Sequence, residues 1–178
     1  MKSIYTEALH LIDTLPTRRP APGLPPILGP LFGQLPAAND ETQVSAIEDR
    51  IWEAWMYHPN RRAAQVLEAT VADIAAQRLD IAETRLVYLL RSCPDYAEAW
   101  NKLATVYYLR GWDGPCIKAI CHTLSLEPRH FGALAELGEV FLARDKPELA
   151  RRAFEAALRI HPQSEGVAQR VADLGKGS

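Results

Sequence analysis

Apolar positions in the second half of the chain fall into a spacing that repeats. Trp100, Leu103, Ala104, Tyr107, Gly111 and Pro128 recur 34 residues later as Leu134, Leu137, Gly138, Phe141, Asp145 and Pro162. Three such units fit end to end without gaps, over 63–96, 97–130 and 131–164. Each predicts a first helix with a large residue at its fourth place and a small one at its eighth: Val66 and Thr70, Trp100 and Ala104, Leu134 and Gly138. The small residue lets a second helix approach closely, as interlocking helix surfaces require. The predicted second helix carries a bulky residue between two smaller ones, Ala150, Phe154 and Ala157 in the third unit and Cys116, Ile120 and Thr123 in the second, while the first gives Ala82, Leu86 and Leu89. Pro94, Pro128 and Pro162 close the units, since proline cannot continue a helix. In the turns, Asp113 or Gly114 is expected to cap one second helix and Asp145 the next. Departures gather in the first unit, where Asp73 replaces an aromatic and Gln77 a glycine.

Outside the repeats, Ile4, Ala8, Leu11, Ile12 and Leu15 predict a helix over 3–15. Val44, Ile47, Ile51 and Trp55 predict another over 40–57, capped by Asn39 or Asp40. The latter reads equally as a cap on the first unit or as the second half of a degenerate repeat. A last short helix over 164–174 uses Val167, Val171 and Leu174. Between residues 16 and 36 lie seven of the 13 prolines, so that stretch is expected to be extended or turning rather than helical. Its Leu24, Ile27, Leu28, Leu31, Phe32 and Leu35 are too apolar for a solvated linker and are expected to pack on the protein itself. Arg19, Pro22 and Pro25 also match the spacing of a short proline-rich ligand, a pattern that chance often supplies.

The 34-residue unit resembles the tetratricopeptide repeat (TPR), a helix–turn–helix motif. The run from Leu126 to Leu134 resembles that of small bacterial TPR proteins. The resemblance implies an all-α, right-handed superhelical TPR solenoid of antiparallel helix pairs, with extra N-terminal helices and a C-terminal capping helix. The expected division is 1–39 (N-terminal helix and proline-rich segment), 40–62 (capping helix or degenerate half repeat), repeats at 63–96, 97–130 and 131–164, and 165–178 (capping helix and tail).

In that family the first helices line a concave groove. The matching places here are Leu67, Glu68 and Val71, then Glu98, Asn101, Lys102, Thr105 and Tyr108, then Ala135, Glu136, Glu139 and Leu142. The candidate partner-binding residues are therefore Glu68, Glu98, Asn101, Lys102, Thr105, Tyr108, Glu136 and Glu139. Some TPR proteins clamp the acidic tails of chaperones, and the resemblance implies that clamp as a candidate. It is missing residue by residue: Leu67 and Val71 stand for its lysine and asparagine, Lys102 for an asparagine, and Gly132 and Glu136 for two cations. Groove glutamates repel carboxylates, so a neutral or basic peptide or helix is the expected ligand.

Composition narrows the alternatives. A formal charge of −2 on 178 residues offers no basic face for nucleic acid or anionic membrane. No apolar run approaches the ~18 residues of a membrane span. Glu7, His10 and Asp13 break up any signal sequence, so the expected compartment is the cytoplasm, or the periplasm had a leader been removed. Cys93, Cys116 and Cys121 form no disulfide framework. Cys116 and Cys121 diverge by about 140° on a helix and cannot readily share a metal with His122. The remaining histidines, His10, His58, His130 and His161, read as surface or locally bonded groups. Trp52, Trp55 and Trp100 lie on apolar stripes, whereas Trp112 lies in a turn and is expected to be partly exposed. No phosphate loop or nucleophile elbow occurs, and Glu136 and Glu139 read as a partner-facing row rather than an acid–base pair. The expected function is a non-catalytic protein-binding scaffold without cofactor or metal. The alternative is a structural subunit contacting others, or itself, through convex or end faces.

The repeat frame makes Gly138 the close-approach point of the third hairpin. Gly138→Leu is expected to cost about 1–3 kcal/mol in a denaturant melt through overpacking.

Overall fold

A computed structural model describes residues 3–176. Among these it holds α-helices and short 3₁₀ turns and no strand. Three antiparallel hairpins form the body: α4 (Arg61–Ala75) with α5 (Leu79–Ser92), α6 (Ala97–Leu109) with α7 (Asp113–Leu126), and α8 (Phe131–Ala143) with α9 (Pro147–Ile160). They stack in chain order, α5 against α6 and α7 against α8, giving an all-α solenoid. Three further helices precede them: α1 (Ile4–Thr14), α2 (Leu28–Gln34) and α3 (Glu41–Met56). The last, α10 (Glu165–Lys176), packs on α9.

The hairpins close where the small residues fall. Thr70, Ala104 and Gly138 are buried, as are Leu86, Ile120 and Phe154 on the helices facing them. A Cβ on Gly138 would collide with the Phe154 ring, which is the physical reason for glycine there. Burying a large apolar side chain is worth about 1.5–3 kcal/mol, so these layers carry much of the fold.

Each first helix ends in the same turn. Gln77, Gly111 and Asp145 occupy equivalent places, and all three have positive φ, at 57°, 70° and 52°. The residue after each donates its N–H back to the carbonyl of Asp73, Tyr107 or Phe141, at 2.9 to 3.0 Å. This left-handed closure satisfies carbonyls that the helix end leaves free. It also corrects the capping expectation. Asp145 supplies the left-handed residue, and Lys146 precedes α9 with no side-chain cap. Asp113 opens α7 as its first residue, preceded by Trp112, and pairs with Arg144. Asp40 does cap α3, accepting from the Gln43 N–H at 2.9 Å. Asp73, in the place of an aromatic, is buried and held by Arg78 at 2.7 Å and Arg85 at 3.3 Å.

The proline-rich segment departs from expectation by containing α2. Pro25 and Pro26 lie before its first residue and Pro30 within its first turn, where a missing N–H costs no helical bond. Leu28, Leu31 and Leu35 then bury one face. The segment packs on the protein as its apolar content implies. The Ala21 N–H donates to the Leu126 carbonyl at 2.7 Å, the Arg129 guanidinium lies 4.4 Å over the Phe32 ring, and the Gln163 side chain donates to the Leu35 carbonyl at 3.0 Å. Residues 16–36 thus run across the turns between hairpins. Upstream, α1 buries Ala8, Leu11 and Ile12 against the second helices α7 and α9.

A left-handed backbone costs a side-chain-bearing residue roughly 1–2 kcal/mol, partly offset by the greater unfolded-state entropy of glycine. Gln77→Gly is therefore expected to stabilise the protein by about 0.5–1 kcal/mol, read as a higher melting temperature.

Candidate functional site

The first helices α4, α6 and α8 lie side by side and form the face on which a groove is expected. The start of that face is occupied by α3. This helix runs from the α9–α10 turn, where Glu48 meets His161 at 3.3 Å, to Met56, whose carbonyl accepts the Tyr96 hydroxyl. Its two tryptophans seat it. Trp55 stacks flat on His130, with centroids 3.9 Å apart and planes 8° from parallel. Trp52 lies edge-on to Phe131 at 5.6 Å and beneath the Lys102 ammonium at 5.3 Å. Gly132 makes room for it, since a Cβ there would sit 2.7 Å from the indole. So α3 does not stack on the first hairpin as another repeat would. It crosses the hairpins and reaches the third.

Beneath α3 lies a buried ionic cluster. The Glu98 carboxylate accepts from His130 Nε2 at 2.8 Å, Lys102 Nζ at 2.8 Å and Asn101 Nδ2 at 3.3 Å. His130 Nδ1 accepts the Ala133 N–H at 3.1 Å, which leaves its proton on Nε2, facing Glu98. Burial alone would raise the Glu98 pKa. The His130 hydrogen bond, with the charge and bond of Lys102, outweighs it and holds the group below its ordinary value. Its share of stability is present above the usual carboxylate range and is lost as pH falls through the depressed pKa.

Further along this face, Glu136 accepts from the Thr105 hydroxyl at 2.9 Å and from the Cys116 thiol at 3.7 Å. The residue keeps some solvent contact, but its carboxyl is packed among other atoms. Desolvation raises its pKa to about 7 against the opposing bonds of Thr105 and Cys116 and the Lys102 charge. The carboxylate in turn pushes up the Cys116 thiol, which burial has already raised.

The eight candidate residues therefore divide. Glu98 and Asn101 are buried under α3 with their bonds made inside the chain. Lys102, Thr105 and Glu136 are half-buried at its edge. Glu68 and Tyr108 are exposed, and Glu139 is half-buried, accepting from Arg170 of α10 at 2.8 Å. His130 and His161 lie buried under α3 rather than at the surface, and His130 keeps the local hydrogen bond expected of it, from the Ala133 N–H. Sequence periodicity missed this seat. Its one local trace was the pair of tryptophans three apart, with glycine at position 132. Trp112 is 45% exposed, and its ring lies 4.7 Å from the Arg110 guanidinium. Among the described residues no group of three or more metal-ligating side chains converges, and no helix is long and apolar enough to cross a membrane.

Hairpins of equal length, a left-handed turn in each and a shared first-helix face define a TPR-type solenoid, and comparison with known proteins agrees. The chain is 29% identical over 144 residues to a TPR repeat-containing protein of Rhizobium etli, covering 81% of this chain and 71% of that one. A family model described as a family of unknown function, DUF6584, matches residues 61–113, which span α4 to α6. Among solved structures, the first TPR of Spaghetti (RPAP3), bound to the HSP90 peptide SRMEEVD, aligns with a TM-score of 0.62 at 14% identity. The alignment covers 66% of this chain and 93% of that one. MamA from MSR-1 aligns at 0.55 and 14% identity, over 84% and 83%. At such identity these two structures share the fold alone.

An acid whose folded pKa is raised stabilises below its unfolded value, near 4.5, and loses that contribution as pH rises through about 7. Glu136→Gln is therefore expected to melt higher than wild type at pH 8 and to converge with it near pH 5.

Proposed function

We propose that this protein is a non-catalytic binding scaffold that takes a peptide or helix of a partner along the stretch of first-helix face left open by α3. The observation that carries this reading is the exposure of that stretch. Val71 and Tyr108 are 37% and 38% exposed, and Glu68, Thr105, Glu136, Glu139 and Leu142 lie around them. An aromatic and two aliphatics ringed by polar groups suit side-chain pockets for an extended or helical segment. In this reading Glu98, Asn101 and Lys102 hold the floor of the site, and the open residues contact the ligand.

Charge favours a neutral or basic partner. Lys102 is already matched by Glu98 and Glu139 by Arg170, which leaves Glu68, and Glu136 above about pH 7, to set the sign of the open stretch. The peptide in the aligned Spaghetti structure ends in Glu-Glu-Val-Asp. The clamp for such a tail is not offered by Leu67, Val71, Lys102, Gly132 and Glu136 here. The relative's description as a TPR repeat-containing protein fits the general reading without naming a partner.

The test is affinity capture from the native organism, with bound chains identified by mass spectrometry. Tyr108→Ala combined with Glu139→Lys is expected to remove the partner while leaving the melting temperature within a few degrees of wild type. Capture that survives this change but is lost in Ile81→Ala, at an exposed apolar position of α5, would instead favour a subunit contacting through its end.

A further inference from the structure

The first hairpin differs from the second at one packing position, and the difference leaves a cleft. In the second hairpin, Trp100 of α6 lies flat against His122 of α7, with centroids 4.2 Å apart and planes 18° from parallel. Its indole N–H donates to the Pro94 carbonyl at 2.9 Å. Thirty-four residues earlier, the same three places hold Val66, Tyr88 and Asn60. Valine is far smaller than tryptophan. The space between α4 and α5 stays open as a cleft of about 500 Å³, with Val66 and Leu89 on its walls and the Tyr88 ring beside it, 65% exposed. Among the described residues no further hairpin stacks on this side, because α3 crosses the starts of α4 and α6 toward α8 instead.

The rim of the cleft is basic. Arg62 and Arg85 line it, and the Arg91 guanidinium lies 5.5 Å over the Tyr88 ring. Arg85 shares the buried Asp73 with Arg78, but among the described residues Arg62 and Arg91 make no ion pair. None of the residues lining the cleft is acidic. This separates it from the first-helix groove, where carboxylates dominate.

We propose that the cleft between α4 and α5 is a second docking site, which receives an aromatic side chain of a partner protein flanked by carboxylates. The ring enters above Val66 and lies against Tyr88, as Trp100 lies against His122 one repeat later. The flanking carboxylates meet Arg62 and Arg91. An aromatic anchor in a pocket with a charged rim is the arrangement from which interface hot spots are built. The chain's own second repeat is the template for size, since it shows an indole accommodated between the same two helix positions. The site is independent of the groove reading, with opposite charge preference and no shared residue.

The probe is a fluorescently labelled peptide, Asp-Glu-Trp-Glu-Asp, titrated by anisotropy against the full chain, beside the same peptide with glycine for tryptophan. Saturable binding of the tryptophan peptide alone is expected. Val66→Trp fills the cleft from within and should weaken it at least tenfold, with helical circular dichroism retained. Tyr88→Ala alters an exposed residue and should weaken it similarly even if Val66→Trp fails to fold. Arg62→Glu should weaken it further at low salt than at high salt. Absence of saturable binding up to millimolar protein, or binding indifferent to Val66→Trp and Tyr88→Ala, overturns the proposal. Concentration-dependent self-association of the wild type that Val66→Trp abolishes would also overturn it, by giving the cleft to a second copy of the chain.

Discussion

The architecture depends on a buried carboxylate. Glu98 sits at the start of α6 with almost no exposure, and a lone charge there would be expensive. His130 and Lys102 supply its partners, and α3 supplies its cover. Each member sets conditions on the others. His130 must keep its proton on Nε2, so Nδ1 is given to the first turn of α8. Lys102 must lie along the face, where Trp52 receives its ammonium. Trp55 must lie flat on the imidazole. Removing one partner of such a pair typically costs about 3–5 kcal/mol, because the other is left charged and buried. The seat of α3 is thus specified by polar geometry as well as by apolar area.

That seat decides what the solenoid can offer. A row of first helices forms a continuous trough in this type of fold, yet here its near end is filled by the chain's own helix. The open remainder is short, aromatic and acidic. The N-terminal segment reaches both sides of the stack, with α1 against α7 and α9, and α3 against α4 and α6 and, through its tryptophans, the start of α8. The proline-rich stretch between them crosses the inter-hairpin turns and is bonded there through Ala21, Gln163 and the Arg129–Phe32 contact. The second and third hairpins are partly covered as a result, although Tyr108, Leu109 and Trp112 stay exposed. The first is left as the exposed end, and Tyr88, Ile81 and Val71 are among its uncovered side chains.

The hairpins were legible in the sequence because their packing is local and periodic. Gly138 under Phe154, Cys116 under burial and the closing prolines all lie within one 34-residue unit, so spacing reveals them. Even the departures carried meaning. Gln77, in the place of a glycine, takes the left-handed turn with its side chain intact, and Asp73, in the place of an aromatic, recruits Arg78 and Arg85. Helix α2 was hidden because its prolines were read as breakers, although they fall before the helix and in its first turn, where no bond is lost. The candidate groove was legible as a set of places. Which of them stay open was not, because Glu98 and Asn101 are as polar in sequence as Glu68 is.

The chain by itself determined the repeat length, the helix pairs, the small residues at their crossings and the apolar stripes of the flanking helices, since all of these follow from contacts between near neighbours in sequence. Only the tertiary structure decided that α3 would lie across the hairpins rather than continue their stack, that His130 and His161 would be core residues, and that the first hairpin would keep an open cleft. Those outcomes rest on contacts such as Trp55 with His130 and Glu48 with His161, between segments far apart along the chain. Such pairs leave no periodic trace, and their geometry exists only once the helices have packed.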